Sequence, residues 1–364
     1  MDHLQPGMNI RPNLTNETAV LLVQRLYGFK QVKLVQLDGY DDKNYLVQVI
    51  DNSSGFNIWP HGYVLKVMNS LDSQNTSFVE AQTQMALYLE KHGIKCPQPI
   101  KNLNSQYYSL EDLSQDGTES SKHIVRMLTY EPGKLLKQVP CTNETLFNIG
   151  KFTAKLDQEL KDFYHPFYDN NKSIWSLESI PLVRKFTYAV KDEQKNKLVN
   201  AAIDAFEREA LPKISVLEKG MIHGDINEQN VVMATEKPCN VAAILDLGDT
   251  QRSCYVFELA VNLCYMILIS TDEDPIAAGG HVIAGYTSVR PLPESELHLL
   301  KICICARLSQ SLVMGAHTYL QDPGNEYLLD TAKKGWTILK VLWELQDEEL
   351  IVKWEKIIAS YQGK

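Results

Sequence analysis

The feature that most constrains this chain is a change of hydrophobic rhythm at Pro132-Gly133. Before that point, short β-type runs dominate: Lys33–Leu37, Tyr45–Val49, Tyr63–Val67, Tyr107–Leu110 and Ile124–Leu128. Turn-rich pieces such as DGYDDKN, DNSSGFN and SQDGTESSK separate them. Two helices are expected among these strands. Thr15–Tyr27 opens on Thr, Asn and Glu, and Phe78–His92 is closed by Gly93. After Pro132-Gly133, apolar residues fall at helical spacing, as at Leu146, Ile149, Leu156, Leu160 and Phe163 within Asn143–Phe163. The same rhythm predicts helices over Lys195–Glu209, Glu258–Ile269, Glu294–Met314 and Asp330–Leu345. Only Ile222–Leu247 interrupts it, reading as strand–loop–strand–strand. The expected class is therefore α+β. A β-rich N-terminal lobe covers 1–130, and a mainly helical C-terminal lobe covers 131–364. A chain of 364 residues exceeds the roughly 250–300 at which a single core stops growing, so two lobes are the natural arrangement.

Charge narrows the range of partners. Thirty-six basic and 45 acidic residues give a net charge of -9. A nucleic-acid binder neutralises phosphates with clustered Lys and Arg, and no such run occurs. The acidic balance does not repel a cationic small molecule, and a merely soluble surface accounts for it equally well. The seven cysteines are scattered, odd in number and without a C-x-x-C, which predicts free thiols in a reducing compartment, the cytoplasm. The start, MDHLQPGMNIRPNL, lacks an apolar core, so no signal or transit peptide is expected. On that basis the sequons at Asn13, Asn52 and Asn143 are chance matches. The run Tyr255–Ser270 is greasy but carries Glu258 and Asn262, and it predicts a buried helix rather than a membrane span. No obligate protein partner is evident.

The chemistry is concentrated in Met221-Ile-His-Gly-Asp-Ile-Asn-Glu-Gln-Asn-Val-Val232. Apolar residues flank a polar turn holding His223, Asp225 and, five positions later, Asn230. Sixteen residues beyond Asn230, the apolar run Ala243-Ile-Leu ends in Asp246. Phosphoryl transfer explains such a set. One Asp orients the acceptor hydroxyl, while an Asn oxygen and a second Asp hold Mg²⁺ on the phosphates. The kinase order H-x-D, then Asn at Asp+5, then a later D-x-G is reproduced by Asp225, Asn230 and Asp246. Each piece alone is also an ordinary turn or helix cap; order, spacing and flanking strands together favour chemistry. Upstream, Lys66 in Tyr63-Val-Leu-Lys-Val67 resembles the phosphate-contacting lysine of a β-strand, with Glu80 expected as its ion-pair partner. A lysine snorkelling at a strand edge is the alternative. No G-x-G-x-x-G is present. The segment from Leu37 through Gly39 and Tyr40 to Asn44 stands where a phosphate loop belongs, and it also reads as a plain hairpin. His223 is expected to brace the loop rather than carry protons, and Glu258, at a helix start, to bond loop groups.

At these residues the chain resembles the aminoglycoside phosphotransferase-like kinases, which include choline, homoserine and methylthioribose kinases. H-G-D-x-x-x-x-N is met by His223, Gly224, Asp225 and Asn230, the next element by Leu245-Asp-Leu-Gly-Asp249, and D-L-A by Phe257-Glu-Leu-Ala260. Leu247 replaces an aromatic and Glu258 replaces Asp. A narrower likeness within the family is carried by YVLKV, RMLTYEPG, HGDINEQN, LDLGD, YVFELA, GGHVIAGY, SQSLVMGAH and TAKKGW, spread over residues 63–336. The resemblance implies a two-lobed protein-kinase-like fold, Mg²⁺, GTP as donor and 5-hydroxy-L-lysine as acceptor. It also implies that Leu128–Glu131 is the purine-binding strand, using the Thr129 C=O and the Glu131 N–H. For an acceptor with two amines and a carboxylate, Asp249 is a candidate for an amine and Arg307 for the carboxylate, and each is equally a candidate for an internal salt bridge. Trp175 and Tyr255 are candidates to pack on the substrate, or simply core aromatics. Other readings stay open: a choline, ethanolamine or homoserine type of kinase using ATP, or a nucleotide-binding pseudokinase. A protein kinase is disfavoured, because no A-P-E follows Asp246 at activation-loop distance and Gly224 replaces the kinase Arg.

Overall fold

A computed structural model describes residues 4–51, 58–114, 121–272, 274–323 and 330–362. The chain divides into two compact units, Met8–Pro132 and Gly133–Lys364.

The first unit begins with helix α1 (Asn16–Tyr27), whose first turn is capped by the Thr15 hydroxyl accepting the Thr18 N–H at 3.2 Å. Its face of Ala19, Leu22, Val23, Leu26 and Tyr27 is buried. Strands β1 (Gln31–Leu37), β2 (Lys43–Asp51) and β3 (Tyr63–Val67) follow, then helix α2 (Thr76–Lys91). Strands β4 (Pro99–Ile100), β5 (Ser109–Asp112) and β6 (Lys122–Thr129) complete an antiparallel sheet in the order β1-β2-β3-β6-β4, with β5 also on β6. Helix α2 starts two residues before the apolar pattern announces it, because Asn75 caps it by accepting the Ser77 N–H at 3.1 Å. Alternation on the sheet sends Tyr45, Val47, Tyr63, Leu65, Val67, Val125 and Met127 into one core with α1. Part of the expected loop SQDGTESSK, residues 115–120, lies outside the described residues.

The second unit opens with β7 (Lys134–Leu135) and helices α3 (Asn143–Glu159) and α4 (Glu193–Glu209). Thr142 and Asp192 cap these helices, each accepting the N–H three residues on. A 3₁₀ stretch, Leu177–Ala189, lies between them, with Pro181 inside it. Then come β8 (Lys219–Ile222), β9 (Val231–Met233), β10 (Val241–Ile244), β11 (Gln251–Cys254) and α5 (Tyr255–Ile269). Helices α6 (Ala277–Thr287), α7 (Glu294–Leu297), α8 (Leu300–Gln321), α9 (Asp330–Glu344) and α10 (Asp347–Gln362) finish the chain. The expected strand–loop–strand–strand around residue 222 resolves into two ribbons: β9 pairs with β10 and β7, whereas β8 pairs with β11. The two arms of the H-G-D loop therefore belong to different ribbons. The helix expected over Glu294–Met314 is broken at His298-Leu299 into α7 and α8.

Helix α5 is buried over nearly its whole length, as its composition requires. Glu294–Gln321 is long and apolar enough to cross a membrane by length and composition, yet 83% of its most apolar window is packed inside the protein. All seven cysteines are free, five of them buried. Helices α3 and α6 approach each other to backbone contact. A Cβ on Gly285 would meet the Phe147 carbonyl at 1.8 Å, and one on Gly150 would meet the Val282 carbonyl at 1.9 Å. Since those obstacles are backbone, no rotamer can relieve them. Gly150→Ala and Gly285→Ala should each lower the unfolding free energy by about 1–3 kcal/mol or more in urea titrations. Wild-type midpoints for both would show that the two helices part without cost.

Candidate active site

The loop His223–Asn230 is built on three kinds of support. The first is Gly224, whose φ of 81° lies in the left-handed region. A Cβ there would meet the Asp249 carbonyl at 2.5 Å, so the glycine admits both the turn and its neighbour. The second is Glu258, on the first turn of α5 and fully buried. Its carboxylate accepts the His223 N–H at 2.9 Å and the Gly224 N–H at 2.7 Å. Burial raises the pKa of this carboxyl, and the two amides oppose the rise. The third is His223 itself. Its Nδ1 accepts the Asp225 N–H at 3.2 Å, which leaves Nε2 to donate to the Leu245 carbonyl at 2.9 Å. The imidazole thus ties the loop to the strand end that leads into Asp246. Leu245 N–H returns the tie by donating to the Asn230 carbonyl at 2.7 Å.

Asp225 is held by side chains on both of its oxygens. Oδ2 accepts from Asn227 Nδ2 at 2.8 Å and from Asn230 Nδ2 at 2.9 Å. Oδ1 accepts from Arg307 Nη2 at 2.8 Å. Asn230 Nδ2 also donates to the Asp225 carbonyl at 2.9 Å, so its amide nitrogen is committed and its carbonyl oxygen is the atom left for a ligand. Asp246 takes an unusual backbone for an L-residue, φ 54°, and its Oδ1 accepts the Gly248 N–H at 3.0 Å. Asn230 and Asp246 together offer hard oxygen donors, which fits Mg²⁺ bound by one or two protein oxygens plus phosphates and water. Glu228, within the loop, has its pKa pushed up to about 7 by burial and by the charge of Asp225.

Arg307 is a residue whose partner the sequence could not name. A buried guanidinium needs an anion, and here the anion is Asp225 rather than a ligand. Nη1 donates to the Trp175 carbonyl at 2.9 Å and to Gln310 Oε1 at 3.0 Å. The Trp175 and Tyr265 rings face the guanidinium at 5.3 and 5.5 Å. Asp249 also acts on Arg307 by its charge. Trp175 and Asp249 therefore belong to the same neighbourhood as Asp225. Tyr255 does not join them through any of these contacts. It is 2% exposed and its ring lies 3.8 Å from the Arg290 guanidinium, so it serves as a core aromatic rather than a substrate platform.

In the first unit, Lys66 is buried on β3, opposite Asn44 on β2 and Arg126 on β6. The ion pair expected with Glu80 is replaced. Lys66 Nζ stands 3.2 Å from Asp42 Oδ2, whereas Glu80 is exposed and accepts the Tyr108 hydroxyl at 3.2 Å. The reason is local: Asn69 fixes Asp42 by donating its N–H and its Nδ2 to Oδ1, at 2.8 and 3.0 Å. Tyr40 and Asn44 flank this carboxylate in the hairpin between β1 and β2, and Asn44 Nδ2 donates to the Asp38 carbonyl at 3.3 Å. Burial, with the charges of Asp42 and Asp72, pushes the pKa of the neighbouring Asp41 up to about 7. Thr129 ends β6; its hydroxyl accepts the Gln98 N–H at 2.8 Å and donates to Glu131 at 3.3 Å. Sequence reasoning missed Asn227, Asp42 and Arg126, whose guanidinium donates to Gln82. Asn227 had a signal, an amide two positions after the loop Asp. The other two act through pairings that no local spacing encodes.

A carboxylate held by three side-chain donors, an Asn and an Asp offering oxygen donors, and a buried strand lysine are the residue types that phosphoryl transfer to an alcohol uses. A family model described as the phosphotransferase enzyme family matches residues 34–292, and the chain belongs to that family. It is 35% identical to hydroxylysine kinase of Xenopus laevis, covering 99% of this chain and 98% of that protein. It is 32% identical to hydroxylysine kinase of Mus musculus, over 99% and 97% of the two chains. Among solved structures, a microcompartment-associated aminopropanol kinase superposes with a TM-score of 0.69 at 15% identity, covering 89% of this chain and 97% of that one. The kinase-like α+β fold expected from sequence is therefore the fold observed. Glu258→Gln keeps one acceptor but turns an NH₂ toward a backbone N–H. It should cost about 1.5–3 kcal/mol of stability, the range for hydrogen bonds to charged groups, read by thermal unfolding. A variant as stable as wild type would remove Glu258 from the bracing role.

Proposed function

We propose that the protein transfers the γ-phosphate of GTP to the hydroxyl of 5-hydroxy-L-lysine, giving 5-phosphooxy-L-lysine and GDP in the cytoplasm. The observation that carries the choice of acceptor is end-to-end similarity to proteins named hydroxylysine kinase in frog and mouse. The class of reaction is supported independently by the geometry around Asp225.

In this reading Lys66 meets the phosphates, and Asp42, now on its ammonium, gives way to them. Tyr40 and Asn44 line the phosphate end of the nucleotide, and the backbone of Thr129 and Glu131 takes the purine. Asn230 and Asp246 hold Mg²⁺, which neutralises charge developing on the phosphates when bound. Asp225 accepts a hydrogen bond from the acceptor hydroxyl and aims its oxygen at the γ-phosphorus. As the new P–O bond forms, the bond from phosphorus to the β-phosphate oxygen breaks and the hydroxyl proton leaves toward Asp225. In a loose transition state that proton moves late, so aim matters more than basicity. Asp249 and Trp175 form the acceptor side together with Arg307, which acts on the acceptor through Asp225. His223 and Glu258 keep the loop in shape.

Initial rates of nucleoside diphosphate release with Mg²⁺ test the proposal. GTP and ATP are crossed with 5-hydroxylysine, lysine, choline, ethanolamine and homoserine. Turnover with GTP and 5-hydroxylysine, and none with lysine, is expected; faster turnover of another alcohol would replace the acceptor. Asp225→Asn should lower kcat by about 10²–10⁴-fold, the range for a positioned acid–base group, with nucleotide affinity nearly unchanged. Equal loss of binding and turnover would remove Asp225 from the acceptor side.

A further inference from the structure

The Asp225 carboxylate offers about four lone-pair positions, and three are filled. Asn227 and Asn230 take both positions on Oδ2, and Arg307 takes one on Oδ1. The remaining position is the second lone pair of Oδ1, the oxygen that Arg307 also holds. The Asp225 side chain is 18% exposed and that of Arg307 only 2%, so the approach to the pair lies on the aspartate side. We infer that Arg307 is a positioning residue for phosphoryl transfer: it selects Oδ1 of Asp225 as the atom that receives the acceptor hydroxyl and holds that oxygen in line.

Three observations support this role. Arg307 is itself immobilised, with Nη1 shared between the Trp175 carbonyl and Gln310 Oε1, and with aromatic rings facing it. Gln310 is fixed in turn, its Nε2 donating to the Ile174 carbonyl at 2.7 Å and the Ser176 carbonyl at 3.2 Å. The aim of Oδ1 is thereby referred to α8 and the 174–176 segment rather than to the loop alone. Among the described residues, buried Arg307 Nε finds no hydrogen-bond partner, an imperfection that packing for stability alone would not favour. Buried ion pairs seldom stabilise a fold more than apolar packing of the same volume would, so a pair placed on the proposed hydroxyl-orienting Asp is better explained by geometry. Lysine would not replace it, because a point ammonium cannot span the Trp175 carbonyl, Gln310 and Asp225 together.

The inference rests on Asp225 serving the acceptor, and the test separates the two. Arg307→Lys, Arg307→Met, Asp225→Asn and the double variants are assayed with GTP and 5-hydroxylysine. Slow Mg²⁺-dependent GTP hydrolysis, in which water supplies the hydroxyl, gives a second rate that does not depend on the choice of acceptor. Both Arg307 variants should lower kcat by about a hundredfold, near the lower end of what a positioned acid–base group contributes, with the KM for GTP within about twofold. In the Asp225→Asn background neither should lower it further, the non-additivity of residues acting as one unit. Should Arg307→Met fail to fold, Arg307→Lys carries the same comparison. The inference is overturned if Arg307→Lys turns over at the wild-type rate while Asp225→Asn does not. Full additivity with Asp225→Asn overturns it as well, since the loss would then come from elsewhere in the structure. If Asp225→Asn is itself fully active, the reading of Asp225 falls first and the role of Arg307 falls with it.

Discussion

A single buried carboxylate sets the shape of the His223–Asn230 loop. Both oxygens of Glu258 accept from consecutive backbone N–H groups of the turn, those of His223 and Gly224. An unpaired buried N–H costs about 1–3 kcal/mol, and here two are satisfied by one charged acceptor. Everything downstream inherits its direction from that contact. Gly224 turns where a side chain would strike Asp249, His223 bridges to Leu245, and Asp225 emerges with its carboxylate toward Asn227, Asn230 and Arg307. The longer Glu stands where the family pattern has Asp and reaches both amides from the first turn of α5.

The first unit handles charge by a different device. Lys66 lies on an apolar strand with Arg126 opposite it, an arrangement that costs free energy unless each cation is answered. Asp42 answers Lys66, and Gln82 contacts Arg126. Asp42 is itself held in the hairpin by Asn69, whereas Glu80 is exposed on α2 and meets Tyr108 instead.

Much of the fold was legible in the sequence because it is written locally. Alternation gave β1, β2, β3 and β6, and helical spacing gave α1 to α5 and α9, while the caps Asn75 and Asp192 start α2 and α4 two residues before the apolar rhythm does. What escaped was non-local or lacked rhythm. Helix α6, with its run AAGGHVIAGYT, has small residues in place of an apolar stripe, because its neighbour α3 comes close enough to touch backbone. The ribbon β8–β11 joins segments that read as unrelated. In the site, the spacing of Asp225, Asn230 and Asp246 and the brace from Glu258 were readable, since loop geometry imposes them over short distances. The partners of Lys66 and Arg307 were not. Physics demanded an anion for each, but which anion depends on how distant elements fold together.

Asp246 holds a conformation that costs most L-residues roughly 1–2 kcal/mol and that Asp and Asn tolerate best. On the proposed reading, the demands of folding and of chemistry point in opposite directions at this position. Selection for a sturdier chain would drift toward Gly, which adopts the same backbone freely and discards the carboxylate. Screens for thermal resilience that ignore turnover would therefore be drawn to this site, and on the proposed reading they would enrich well-folded proteins that have lost a cation ligand.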